Sequence, residues 1–134
     1  MALRLEDDHH CFVCGTENPK GLHLQFERRE PGRLASSVVF SRDHQGFKGI
    51  VHGGMMAAVL DEMMGNLAWV EGHSAATVEL NVRLKKAARV GERVLLEGWI
   101  RQGEKPRILR GRAEARDEKG TLLASAEGVL IKIV

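Results

Sequence analysis

The chain has 134 residues, the size of one ordinary domain, with 20 basic against 18 acidic side chains and 43% hydrophobic residues. This near-neutral balance lacks a concentrated basic stripe, so nucleic acid is not expected as a partner. No apolar run approaches the roughly 20 residues needed to cross a bilayer, and Met1 to His10 is charged rather than signal-like, so no membrane is expected and a cytoplasmic location is.

In chain order, residues 1–20 read as a polar N-terminal extension to one domain over 1–134. Within it His9, His10, Cys11 and Cys14 offer soft ligands at a Cys-x2-Cys spacing. A closed zinc site usually has a second ligand pair elsewhere; none is evident, so no metal and no cofactor are expected. The two cysteines are too close to staple a fold, and no strand precedes them as a thioredoxin-like redox pair would require. After the turn Thr16-Glu17-Asn18-Pro19-Lys20-Gly21, the residues Leu22, Leu24 and Phe26 alternate with His23, Gln25 and Glu27, which predicts a strand. Pro31-Gly32 predicts a turn, and Arg33 to Ser41 a second strand completing a hairpin. Asp43 to Ile50 reads as loop.

Gly54 to about Gly72 is the only long helical segment and is apolar nearly all round, which predicts a wrapped core helix. At about 100° per residue, Gly54, Ala57, Ala58, Asp61, Gly65, Ala68 and Gly72 share one stripe. Val59, Leu60, Met63, Leu67 and Val70 take the other sides. The stripe has two readings: close approach of a ligand or another backbone beside the carboxylate, or tight nesting of the helix in a curved sheet. Downstream, Thr77 to Lys85 alternates, Gly91-Glu92 turns into a strand holding Val94, Leu96 and Ile100, and Gln102 to Pro106 turns into Arg107 to Arg116. Asp117-Glu118-Lys119-Gly120 closes a hairpin into Thr121 to Val134. Two strands, one helix and four strands predict an α+β fold, an antiparallel sheet on a single buried helix.

The chemistry concentrates at the helix start. His52-Gly53-Gly54 leaves backbone N–H groups uncovered at the positive end of the macrodipole, a place that attracts anions and oxyanions. Asp61, nine positions after His52, is an acid amid apolar residues and calls for a partner or a task. The plainer alternatives are a buried acid that pairs with an arginine, and ordinary turn glycines. Nine residues rotate a helix by about 900°, so His52 and Asp61 point to opposite sides, and a site using both needs a two-fold dimer. Glu62 sits about 100° round from Asp61 and reads as a flanking group.

The ordered set Cys11-Phe12-Val13-Cys14-Gly15, Asn18-Pro19, Gly21-Leu22, Gly46-Phe47-Lys48-Gly49-Ile50-Val51-His52-Gly53-Gly54 and Thr77-Val78-Glu79-Leu80-Asn81-Val82 resembles the hotdog-fold thioesterases, specifically the PaaI-like group among the relatives of 4-hydroxybenzoyl-CoA thioesterase. The resemblance spans nearly the whole chain. It implies a sheet of five or six strands round one helix, a homodimer or dimer-of-dimers tetramer with its active site between subunits, and hydrolysis of an acyl-CoA thioester. It places the family's acid, base or nucleophile, on Asp61, the oxyanion amide on Gly53 or Gly54, the helix-start histidine on His52 and the supporting hydroxyl on Thr77. The family's Asn or Gln six residues before the histidine falls on Gly46, which leaves the neighbouring Gln45 to serve. For substrate binding the candidates are Gln45, Glu62, Lys85 and Arg107, the two cations as partners of CoA phosphates; Lys86, Arg89 and Lys105 are similar, and solvated surface charge is the default for each. The alternatives in function are a non-catalytic module that holds an acyl-CoA or acyl-carrier ligand, and a hydratase on the same scaffold.

Overall fold

The computed structural model describes residues 5–133; the first four residues of the extension, and Val134 at the end of the last expected strand, lie outside the described residues. Its elements are β1 (Glu27–Glu30), β2 (Arg33–Val39), a short 3-10 turn (Arg42–His44), α1 (Gly53–Val70), β3 (Ala75–Leu84), β4 (Arg93–Gln102), β5 (Ile108–Arg116) and β6 (Leu122–Lys132). The six strands form one antiparallel sheet in the order β1-β2-β4-β5-β6-β3, so β1 and β3 are its edges. The sheet curves round α1 in the hotdog arrangement.

The sheet's own small residues make the wrapping possible. Ala113 and Ala126 face each other on β5 and β6, as do Ala115 and Ala124, and all four are buried. Across the same face lie Gly98, Gly111 and Gly128. A Cβ at Gly98 would stand 2.7 Å from the Met63 carbonyl oxygen, and one at Gly111 would stand 2.6 Å from the Met64 sulfur. Backbone therefore supports the helix across three strands. Onto this floor α1 lays Val59, Leu60, Met63, Met64 and Leu67, all fully buried, and β2 and β4 add Leu34, Val38, Val94 and Leu96. Each such side chain contributes about 1.5–3 kcal/mol by leaving water.

Both ends of the helix are fixed locally. His52 is the N-cap, its Nδ1 accepting the Gly54 N–H at 2.8 Å, a job more often done by Ser, Thr or Asp. At the other end Gly72 takes φ +89°, the His73 N–H reaches the Ala68 carbonyl and the Gly72 N–H the Trp69 carbonyl: a Schellman termination.

Two expectations are corrected. The helix is not wrapped all round: Asp61, Glu62, Gly65 and Asn66 are only half-buried and Trp69 is 44% exposed, so one flank is left open by this chain. The small residues of the helix fall mostly on that flank, though Ala68 is buried, and the nesting is done by the glycines and alanines of the sheet. Second, the alternation over residues 22–27 is not a strand of the sheet, whose ladder begins only at Glu27. The Leu22 and Leu24 N–H groups donate instead to the carbonyls of Phe12 and Val13, and Leu24 is buried beside Val13. An extended segment with one buried side alternates whether its partner is a sheet or a loop. Among the described residues no helix is long and apolar enough to cross a membrane.

Candidate functional site

The loop before α1 is braced from within. The Gln45 side-chain Oε1 accepts the Gly49 N–H at 3.0 Å, the Gly46 N–H reaches the Ile50 backbone carbonyl, and the Val51 N–H reaches the Ala88 backbone carbonyl. These bonds deliver His52 to the cap position. They also open a cavity of about 530 Å³ at the helix tip, lined by residues that include Phe47, Val51, His52, Gly53, Met56, Leu84 and Lys85. Its wall is largely apolar, and Lys85 and Lys86 border it.

At this tip the two glycines differ. The Gly54 N–H is taken by the His52 ring, whereas the Gly53 N–H, aimed from the first position of the helix, meets no acceptor among the described residues. A Cβ at Gly53 would stand 2.7 Å from the Leu84 Cδ1, so a side chain there would press on the end of Leu84 at the cavity wall. His52 therefore acts as a cap, and Gly53 is the amide left over.

Asp61 lies on the open flank, outside the residues that line the tip cavity, about 13 Å along the helix from His52. Its Oδ1 accepts the Thr77 hydroxyl at 2.8 Å. The bond crosses from helix to edge strand, and a β-bulge between Thr77 and Glu79 leaves Val78 unpaired with β6, turning the strand at this point. Both partners are half-buried, and among the described residues Asp61 enters no ion pair. One oxygen is thus held, and the other is left for a second partner.

The remaining candidates separate. Gln45 spends its side-chain oxygen on the loop and does not line the tip cavity, where Gly46 does. Arg107 donates to the Lys132 carbonyl at the far end of β6 from Lys85, so the two cations do not share one site. Glu62 points at the N-terminal segment, its Oε2 3.9 Å from the Cys11 Sγ. Burial pushes the Glu62 carboxyl above the usual carboxylate range, against hydrogen bonds that lower it, and the Asp61 charge adds to the rise. The Cys14 thiol is driven well above its ordinary value, first by burial and then by hydrogen bonds to the Glu62 and Cys11 side chains. This meeting of Glu62 with two cysteines was missed in the sequence, because 51 positions separate Cys11 from Glu62 and no spacing rule connects them.

Comparison with known proteins locates this arrangement. The family model described as "Thioesterase superfamily" matches residues 48–124, from the loop before α1 into β6. The acyl-coenzyme A thioesterase THEM5 of mouse is 27% identical over 89 residues, covering 66% of this chain and 36% of the relative; its human counterpart is 29% identical over 90 residues with the same coverage. The chain thus spans about a third of the length of these curated relatives. A crystal structure of a thioesterase superfamily protein superposes with a TM-score of 0.85 at 26% identity, covering 92% of this chain and 63% of that one. For fold alone, a hypothetical thioesterase of Streptococcus pneumoniae solved with coenzyme A has a TM-score of 0.75 at 15% identity, covering 81% of this chain and 84% of that one. With more than half of its residues matched by the family model, the chain belongs to the thioesterase superfamily.

Proposed function

We propose that this protein hydrolyses an acyl-CoA thioester in a cleft shared by two copies of the chain, the Gly53 amide of one copy facing Asp61 of the other. The observation that carries this reading is the position of Asp61: a carboxylate on the open flank of α1, one oxygen held by Thr77, free of any ion pair among the described residues. The family membership and the THEM5 relatives support the reaction class. The long edge strand β3, with Val78, Leu80 and Leu84 exposed, supports pairing with a second copy.

In the reaction, the thioester carbonyl oxygen accepts the Gly53 N–H. Water attacks the carbonyl carbon while Asp61 takes the water proton, and negative charge develops on the oxygen that Gly53 faces. Such a preorganised donor contributes about 3 kcal/mol to the transition state. Collapse of the tetrahedral intermediate breaks the C–S bond, and the departing thiolate of CoA takes up a proton. Asp61 attacking directly would give a mixed anhydride of the acyl group, which water then opens. Single-turnover hydrolysis in 18O-water reveals the anhydride route when water opens it at the Asp61 carbonyl carbon: the label then enters the Asp61 carboxyl, whereas the direct route puts it only in the free acid. The apolar cavity beside Met56 and Leu84 suits the acyl or pantetheine arm, and Lys85 and Lys86 at its border suit phosphate.

The test is release of free thiol from a panel of acyl-CoA substrates by the wild type and by Asp61→Asn. The expected result is turnover of at least one substrate, with kcat reduced by about 100-fold or more in the variant and binding retained. Binding without thiol release from any substrate would replace this reading with a non-catalytic acyl-CoA module.

A further inference from the structure

Outside the proposed site, one cluster of chemically soft groups stands out. The Sγ atoms of Cys11 and Cys14 and a carboxylate oxygen of Glu62 all lie within 4.8 Å of one another, and all three residues are half-buried. We propose that these three side chains bind one thiophilic divalent cation of the zinc type, clipping the N-terminal segment to the helix that carries Asp61.

Three features carry the proposal. The first is a rigid turn that makes the thiols converge. The Cys14 N–H points at the Cys11 Sγ at 3.5 Å, and the Gly15 N–H donates to the Cys11 carbonyl at 2.9 Å. A Cβ at Gly15 would stand 2.3 Å from the Cys11 backbone nitrogen, so only glycine closes this turn. An amide aimed at the Cys11 sulfur supports negative charge on that atom, as a metal-bound thiolate carries.

The second is anchorage, because the turn is no free tail. Val13, inside it, is 7% exposed and part of the core, and the Phe12 and Val13 carbonyls accept the Leu22 and Leu24 N–H groups. The ligands are held before any cation arrives.

The third is charge. Glu62 is a half-buried acid that enters no ion pair among the described residues. A half-buried carboxylate without an ionic partner can serve a cation, and two thiols beside it select a soft one. Tetrahedral zinc with sulfur at about 2.3 Å brings ligand atoms to within about 4 Å of one another, a contraction that side-chain rotation can supply. Binding releases the thiol protons, and a water completes the fourth position. Glu62, which arrives from α1, adds one ligand to the Cys-x2-Cys pair rather than the second pair of a closed site.

The site is independent of the thioesterase reading and is tested without activity. The full chain, reduced and stripped of metal by chelation, is titrated with Co2+. The expected result is one equivalent bound per chain, with thiolate-to-cobalt charge-transfer absorption and the visible bands of a tetrahedral site, all displaced by Zn2+. Cys14→Ser should remove the charge-transfer band, and Glu62→Gln should weaken binding by at least about tenfold. A second measurement needs no variant: Zn2+ should slow alkylation of both Cys11 and Cys14 in the wild type by at least about tenfold. No charge-transfer band in the reduced wild type, equal affinity in Glu62→Gln, or alkylation unaffected by Zn2+ would each overturn the proposal.

Discussion

The two edges of the sheet are built to opposite specifications. β1 has four residues, Glu-Arg-Arg-Glu, all exposed, with a register shift in its pairing to β2. Its attachment is polar: the Glu71 carboxylate at the end of α1 accepts both Arg28 and the Gly32 N–H. β3 has ten residues and exposes Val78, Leu80 and Leu84 beside a free row of backbone groups. Charge, brevity and irregularity are how proteins keep an edge from pairing, and long apolar edges invite it. The contrast sets an edge that resists pairing against one that favours it, and Thr77, the partner of Asp61, lies on the second.

The sharpest way to break this comparison is to give β3 the character of β1. The double substitution V78K/L80K should halve the particle mass measured by light scattering and lower kcat/KM by at least about 1000-fold, because each lone chain keeps only half of a site. A monomer with full specific activity would remove the shared cleft.

Next in size is the split of the site itself. Gly53→Pro deletes the single amide at a helix position where proline is well tolerated; His52 before it already has φ −60° and ψ 133°, and the added Cβ meets only the far end of the exposed Leu84 side chain, which can turn aside. It should lower kcat by about 100-fold with the fold intact by circular dichroism. Random mixing of this variant with Asp61→Asn should restore about a quarter of wild-type activity, because half of the dimers then hold one intact site. No recovery on mixing would place both groups in one chain's site.

A smaller loss is expected for Thr77→Ala, about tenfold in kcat with KM less affected, as the carboxylate loses a charge-assisted hydrogen bond. At the quiet edge the effect should be stability alone. Glu71→Gln should lower it by about 1 kcal/mol, read as a fall of about 4 °C in Tm, with activity within twofold.

Helix α1 and strands β2 to β6 were legible in the sequence; turn residues such as Gly91, Pro106 and Gly120 delimit β4, β5 and β6, whose burial alternates, whereas β3 alternates in sequence but is exposed or half-buried throughout. The segment from Leu22 to Phe26 was not legible, since a side chain buried against a loop and one buried against a sheet leave the same periodic trace. At the site, the family pattern named Asp61 and Thr77 separately, and the hydrogen bond between them emerges only from the fold. The unequal state of Gly53 and Gly54 was hidden, because it depends on where the His52 ring turns. The meeting of Glu62 with Cys11 and Cys14 was hidden for a different reason: it is a contact between distant segments, and local spacing carries no information about it.

The glycine floor under the methionines has a practical consequence for anyone scanning this protein by mutation. Any side chain at Gly98 or Gly111 must push against Met63 or Met64, and lifting α1 shifts its tip and its acid together. Such variants would score in an activity screen as though they touched substrate, while standing on the wrong side of the helix to do so. A melting curve beside each rate would tell the scaffold's losses from those of the chemistry.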